Sequence, residues 1–150
     1  IVGMFYGAKE FDKLLSVVNY GINRAVLITT ISVIFFFVLA SNILPIFSSN
    51  PLVIDIGVTY LKIIILVYPA VGISVICSRV CQALGQGMPL LITTITRVII
   101  LTAPLSYYFY FTGRPIEWVW FSQVFAILIA ATISFAWMRY YFRKFNIVRN

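Results

Sequence analysis

Histidine is absent from this chain, and acidic residues number only 4 among 150. The acidic residues are Glu10, Asp12, Asp55 and Glu117. Without histidine, paired carboxylates or a phosphate-binding glycine loop, the usual nucleophilic and acid–base sites are excluded, so we predict no enzyme activity and no cofactor. Cys77 and Cys81 have neither redox nor zinc spacing, which predicts buried small hydrophobic residues and no metal site.

Charge of either sign is scarce as well. Charged residues make up 10% of the chain, hydrophobic residues 62%, and the mean hydropathy is +1.03. Soluble domains carry about a quarter charged residues, so a water-soluble domain is excluded. Four apolar stretches are predicted as transmembrane helices: residues 25–47, 57–81, 89–111 and 117–139. The first would extend about 35 Å as a helix, enough to cross a hydrocarbon core of about 30 Å. Since lipid offers the backbone no hydrogen bonds, the predicted fold class is an all-α, multi-pass transmembrane helical bundle.

The chain before the first span has a different pattern. Residues 1–23 are predicted to form a cytoplasmic loop and an amphipathic interfacial helix, and residues 24–150 the four spans and a basic cytoplasmic tail. Apolar side chains share one face of the predicted interfacial helix: Phe11, Leu14, Leu15, Val18 and Ile22. Such a helix can lie on the membrane surface until the chain enters the bilayer near Arg24.

The net charge of +7 is distributed unevenly between the two sides of the predicted bundle. Lys62 and Arg114 fall on one side. The other nine basic residues fall on the opposite side or close to it: Lys9, Lys13, Arg24, Arg79, Arg97, Arg139, Arg143, Lys144 and Arg149. By the positive-inside rule, both chain ends are predicted to be cytoplasmic, in the cell inner membrane. The charge therefore indicates topology and contact with the lipid bilayer, with no nucleic acid as partner.

The span 57–81 carries most of the candidate pathway residues. Pro69 and Gly72 lie near its centre and predict a kink, and kinked helices at mid-membrane are typical of transporter binding sites. The predicted substrate-pathway residues of the whole chain are Tyr60, Tyr68, Pro69, Ser74 and Arg97. A structural alternative stays open for Ser74, because Ala70, Ser74 and Ser78 also form a row of small residues suited to helix packing.

Arg97 is a charged residue inside the predicted span 89–111. Three threonines surround it in sequence: Thr93, Thr94 and Thr96. An intramembrane charge is a candidate functional group, although an arginine about 12 Å along the helix can also extend to lipid phosphates. In the same span Pro104 predicts a second kink, with Thr102 and Ser106 placed to satisfy the freed backbone groups.

Three segments resemble multidrug and toxic compound extrusion (MATE) transporters. "GMFYGAKEFDKLL" resembles that family's cytoplasmic G-x-x-x-G-A-K segment, and "YLKIIILVYPAVGISVICSRVCQALGQGMP" the helix and glycine-rich turn that follow. "TRVIILTAPLSYYF" resembles the next-to-last helix of the C-terminal half. The resemblance covers nearly the whole chain and maps it onto helices nine to twelve of twelve. Met4 departs from a frequent glutamine, and "GRPIEWVW" departs from the family's usual start of the last helix.

The resemblance implies a fragment of a secondary antiporter. Such proteins export cationic or amphipathic compounds in exchange for sodium ions or protons, by rocking two six-helix lobes about a central cavity. The implied partners are the N-terminal lobe, helices seven and eight of the same protein, and a small amphipathic or cationic substrate. Residues 57–78 contain no carboxylate, so the ion-coupling site is expected outside this chain.

Two other functions fit the same residues. A lipid-linked-sugar flippase of the same two-lobed superfamily would line its cavity with several cations, and here Lys62, Arg79 and Arg97 are available, with Lys62 expected near the outer end. A non-transporting membrane subunit would assemble through the rows of small residues. The central Pro69 and Pro104 argue against the second, because a passive anchor has no need of bent helices.

Overall fold

A computed structural model describes residues 1–145 and 147, and within them the chain forms helices and turns without any strand. The helices are α1 (Val2–Gly7), α2 (Phe11–Phe47), α3 (Pro51–Ile65), α4 (Tyr68–Ala83), α5 (Met88–Ile95), a π-helical segment (Thr96–Thr102), α6 (Ala103–Phe111) and α7 (Ile116–Lys144). Three of the membrane-length apolar stretches are α2, α5 to α6, and α7, and the bent pair of α3 and α4 makes a fourth. The predicted all-α membrane bundle is confirmed. Arg149 of the predicted basic tail lies outside the described residues.

The N-terminal region differs from the prediction. Residues 2–7, expected as a loop, form α1, and the turn follows at Lys9, whose φ is 57°. The amide of Glu10 donates to the carbonyl of Phe5 at 2.9 Å, which closes the end of α1 in the manner of a Schellman turn. The separate interfacial helix is also corrected, because α2 is a single helix of 37 residues with no break at Arg24. No proline interrupts α2 before Pro45, and helix therefore continues from Phe11 onward.

The largest buried cluster lies at one end of the bundle, which we call the basic end: α1, the start of α2, the turn between α4 and α5, and the end of α7. Its buried members are Leu14, Val18, Cys77, Val80, Cys81, Leu84, Met138, Phe142 and Ile147. Both cysteines are free and buried, as predicted. The start of α2 and the end of α7 meet in this cluster, so the first and last helices of the bundle share one end. The apolar face predicted to rest on lipid instead packs against α4 and α7.

The α3–α4 span is broken where the sequence predicts a kink. The two helices meet at 49° across Leu66 and Val67, immediately before Pro69. Proline has no amide hydrogen to donate to the carbonyl four residues earlier, so the helix loses a bond at this point. The span also starts earlier than predicted, at Pro51, because the Asn50 side chain caps it by accepting from the Leu52 amide at 3.0 Å.

The earlier start of α3 changes the position of Lys62 within its helix. Lys62 lies about 17 Å along the helix from Pro51, in the last turn of α3. Its ammonium nitrogen lies 5.6 Å from the centroid of the Phe37 ring. A cation in the last turn of a helix also interacts favourably with the helix dipole. The Phe37 ring and the dipole together stabilise the positive charge of Lys62.

The third span contains a wide turn in place of a simple proline kink. The π-helical segment ends directly before α6, in which Pro104 is an early residue. The Thr102 hydroxyl donates to a backbone carbonyl, that of Arg97, at 2.8 Å, which is not the carbonyl four residues before Pro104, that of Ile100. Ser106 does not share this role, because its hydroxyl pairs with that of Ser122 on α7 at 3.0 Å. The wide turn separates the proline ring from the preceding carbonyls.

The packing of α2 generates a test. Leu14 is 0% exposed, whereas Leu27 on the same helix is 49% exposed. We expect Leu14→Ala to lower the free energy of unfolding by about 2–4 kcal/mol, because it leaves a cavity in the buried cluster. Leu27→Ala is the matched control and should change stability little. Thermal unfolding of the purified protein in detergent measures both, and equal small effects would instead indicate that Leu14 faces lipid or detergent.

Candidate functional site

A cavity of about 420 Å³ lies where α3 and α4, the π-helical segment and α7 come together. We call it the bend cavity, because it adjoins the break between α3 and α4. Its walls are formed by Ile64, Tyr68, Val71, Arg97, Val98, Thr102, Gln123 and Ile127. Its volume lies within the range of about 300–1,000 Å³ that is typical of small-molecule sites.

Both helix irregularities of the bundle border this cavity. The break at Leu66 and Val67 lies between wall residues Ile64 and Tyr68, and the π-helical segment contributes Arg97 and Thr102. Irregular backbone is tolerated at membrane depth where it lines a cavity, and π-helical turns occur frequently at functional sites. Each irregularity is followed by a proline, Pro69 or Pro104, which cannot donate a backbone hydrogen bond.

The polar groups of the bend cavity are few and carry one charge. Tyr68 is 45% exposed and Arg97 is half-buried. Within residues 1–145 and 147, Arg97 takes part in no ion pair, and the one ion pair found there joins Lys13 to Glu10 at 3.0 Å. None of the wall residues is acidic. The cavity thus combines apolar walls, a phenol, an amide and an unpaired guanidinium.

None of the chain's four acidic side chains is among the wall residues of this cavity. Glu10 and Asp12 are at the start of α2, Asp55 is in the second turn of α3, and Glu117 is in the first turn of α7. The described part of the chain also has no group of three or more metal-ligating side chains. No described carboxylate therefore offsets the charge of Arg97.

A second, smaller cavity of about 100 Å³ lies between α4, α5 and α7, and we call it the hydroxyl cavity. Its walls are Ser74, Val75, Ser78, Leu90, Thr93, Thr94, Arg97 and Ala130. The hydroxyl oxygens of Ser74 and Ser134 are 3.1 Å apart, and the Ser78 hydroxyl donates to Ser134 at 3.4 Å. Thr93 is buried, and its hydroxyl has no hydrogen-bond partner within the described residues. Interhelical hydroxyl bonds thus hold α4 to α7 beside a threonine that remains unsatisfied.

The structure separates the five predicted pathway residues into three environments. Tyr68 and Arg97 line the bend cavity together, and Ser74 meets Arg97 at the hydroxyl cavity. Tyr60 packs against Trp120 with ring centroids 5.4 Å apart and lines neither cavity. Pro69 also lines neither, although it follows the break that opens the bend cavity. The roles of these residues in transport stay predictions.

Three further residues emerge from the helix arrangement. Gln123 and Thr102 are wall residues of the bend cavity, and Ser134 bonds both serines of α4. The sequence alone could have indicated Gln123, because it is a lone amide in an apolar span. For Ser134 the sequence indicates helix packing instead, because Ser134 continues a row of small residues with Ala126 and Ala130. All three are buried.

These features describe a multi-pass membrane protein in which one bent span and one π-helical segment border a cavity. A family model, MatE, matches residues 1–108, and the chain belongs to this family. Among curated proteins, no match was found.

Solved structures share the fold. The chain matches the inward-facing conformation of a multidrug resistance MATE family transporter of the MOP superfamily at 23% identity and TM-score 0.89, covering 100% of this chain and 35% of that one. It matches an outward-facing conformation at 23% identity and TM-score 0.87, covering 98% and 33%. A MATE crystal structure in complex with MaL6 matches at 22% identity and TM-score 0.87, covering 98% and 34%. The chain therefore spans about a third of the structures it matches.

The hydroxyl cavity generates a second test, which compares the effects on stability of removing the Thr93 hydroxyl and the Ser134 hydroxyl. We expect Ser134→Ala to lower the free energy of unfolding by about 0.5–1.5 kcal/mol, because two hydroxyls on α4 lose their partner. Thr93→Val should leave stability unchanged or raise it, because it removes a buried hydroxyl that has no partner and keeps the side-chain shape. Thermal unfolding in detergent compares the two. A Thr93→Val protein that is less stable than Ser134→Ala would contradict this account.

Proposed function

We propose that the chain is part of a secondary active transporter that exports drugs or other amphipathic compounds by alternating access, as a cation-coupled antiporter. The observation that carries the proposal is the bend cavity, in which one broken span and one span with a π-helical segment surround apolar walls and a few polar groups. Discontinuous helices of this kind surround substrate sites in secondary transporters. The rest of the central cavity would come from the N-terminal lobe and helices seven and eight of the same protein.

The comparisons support rocking of the bundle as a unit. The chain resembles an inward-facing and an outward-facing structure almost equally, with TM-scores of 0.89 and 0.87. A fold that matches both states suits a lobe that moves largely as one body about a fixed site, which is the usual form of alternating access. We therefore infer that the breaks shape the binding surface in both states, rather than acting as hinges that fold and unfold in each cycle.

The coupling ion would be sodium or a proton. No acidic residue lines the bend cavity, so the carboxylate that binds the coupling ion is expected in another part of the protein. We place the protein in the cell inner membrane with the basic end in the cytoplasm, because the basic residues Lys9, Lys13, Arg139 and Arg143 belong to elements that meet there.

A flippase for lipid-linked sugars is a second candidate, favoured by one observation. Arg97 lines the bend cavity, and a cationic wall suits a diphosphate-linked lipid. Lys62, the other cation inside a span, instead lies over the Phe37 ring. A single cavity cation supports this candidate less than a cluster of them would.

The export function predicts a cellular phenotype. Expression of the full-length protein in a bacterial strain that lacks its own efflux pumps should raise tolerance to amphipathic dyes and lower their accumulation. Dissipating the sodium gradient or the proton gradient with a selective ionophore should abolish the effect, and the effective ionophore identifies the coupling ion. Unchanged tolerance and unchanged dye accumulation, with the protein present in the membrane, would reject the exporter.

Tyr68 provides a test of the bend cavity itself. Tyr68→Ala should change the relative transport of different dyes severalfold without loss of membrane insertion, because the ring is a half-exposed part of the cavity wall. Tyr107→Ala is the matched control, since Tyr107 is exposed on α6 and contacts Phe111 away from this cavity. Dye efflux rates for a panel of compounds measure both variants. Proportional changes for every compound would assign Tyr68 to packing instead.

A further inference from the structure

We propose that the bend cavity binds the anionic group of an amphipathic substrate, with Arg97 as its principal ligand. The inference rests on the proposed transport function and narrows its substrate class, from amphipathic compounds in general to those that carry a carboxylate, sulfonate or phosphate. Arg97 binds this group, and the apolar walls bind the remainder of the molecule.

The first argument is charge balance. Arg97 is the cation of the cavity wall, and no acidic residue is among the wall residues. A guanidinium held among apolar side chains is costly unless an anion pairs with it, and a carboxylate or phosphate satisfies it with two parallel hydrogen bonds. In the part of the wall that this chain supplies, a cationic substrate would meet a like charge and no carboxylate to offset it.

The second argument is the direction of the Arg97 side chain. An arginine that extended to lipid phosphates would lie among residues that face lipid. Ile99 and Ile100, which follow it in the π-helical segment, are exposed. Arg97 is half-buried and lines two cavities, one with Tyr68 and Gln123 and the other with residues of α4 and α5. Arg97 therefore contributes to surfaces that are formed jointly with other helices of the bundle.

The third argument is the remainder of the wall. Three branched aliphatic side chains, Ile64, Val71 and Ile127, line the cavity together with Tyr68. Gln123 adds an amide that can donate a hydrogen bond to an oxygen of the substrate. Apolar surface beside one cation and one neutral donor is complementary to an amphipathic anion.

Two dyes of one skeleton and opposite charge test the proposal: fluorescein, an anion, and rhodamine 6G, a cation. Fluorescence polarisation measures the binding of each to the purified full-length protein, independently of transport. We expect the protein to bind fluorescein, and Arg97→Gln to weaken that binding about tenfold or more, because a charged hydrogen-bonded pair is lost. Rhodamine 6G binding should be unchanged or stronger in this variant. Arg97→Lys should retain part of the fluorescein affinity, because it keeps the charge and loses the paired geometry.

Arg79→Gln is the control, because Arg79 is exposed at the basic end and donates to Gln82 at 3.0 Å, outside both cavities. It should leave fluorescein binding unchanged. Thermal unfolding confirms that each variant is folded. The proposal is overturned if the protein binds rhodamine 6G and not fluorescein, if it binds neither, or if folded Arg97→Gln loses both dyes equally or neither.

Two further measurements are needed. One distinguishes an anion from the bilayer from an anion in water, and the other distinguishes failure of the anion site from failure of the proposed transport function. Fluorescein carrying a long acyl chain reports an anion that arrives from the bilayer, and free fluorescein one that arrives from water; Arg97-dependent binding of either supports the proposal. Export of dye from cells or vesicles is measured separately. Arg97-dependent binding without export would reject the transporter and leave the anion site standing, whereas export of rhodamine 6G alone, unaffected by Arg97→Gln, would reject the anion site and leave the transporter.

Discussion

Every backbone amide inside a bilayer must find its hydrogen-bond partner within the protein, because the lipid chains offer none. This constraint produces long, regular helices in α2 and α7, and it makes each departure from regularity costly. Two departures occur in the spans, at the break before Pro69 and at the wide turn before Pro104. Both border one cavity, and the Thr102 hydroxyl there donates to the carbonyl of Arg97. The energetic exceptions of the fold and its candidate site thus coincide.

The spans were predictable because hydropathy over some twenty residues needs no knowledge of neighbours. The start of α3 was not predictable, since it depends on capping by Asn50 rather than on hydropathy, and Lys62 therefore lies in the last turn of α3 instead of near the start of its helix. The beginning of α2 was misread for another reason. An apolar stripe containing Leu14 and Val18 looks the same whether it covers lipid or protein, and only the tertiary structure distinguishes the two.

The sequence indicates several residues of the site, but not which of them lie together in one cavity. Proline at mid-span and an arginine inside a span are local signals, and both lead to the bend cavity. That Arg97 shares this cavity with Tyr68, and that Tyr60 packs on Trp120 instead, depends on how separate helices are rotated against each other. The same holds for Ser134, whose small size suggested packing alone. Its hydroxyl also bonds two residues one turn apart on α4.

The length of α2 divides the molecule between two solvents. Its 37 residues extend about 55 Å, well beyond a hydrocarbon core of about 30 Å. We expect the excess at the basic end, where the buried cluster lies, because the predicted span begins only at residue 25. The hydrophobic effect drives apolar burial in water but not in lipid. A part of the bundle in water and a part in lipid are therefore stabilised by different forces. Cooling, urea and excluded osmolytes act on the cluster through water, while bilayer thickness and composition act on the spans.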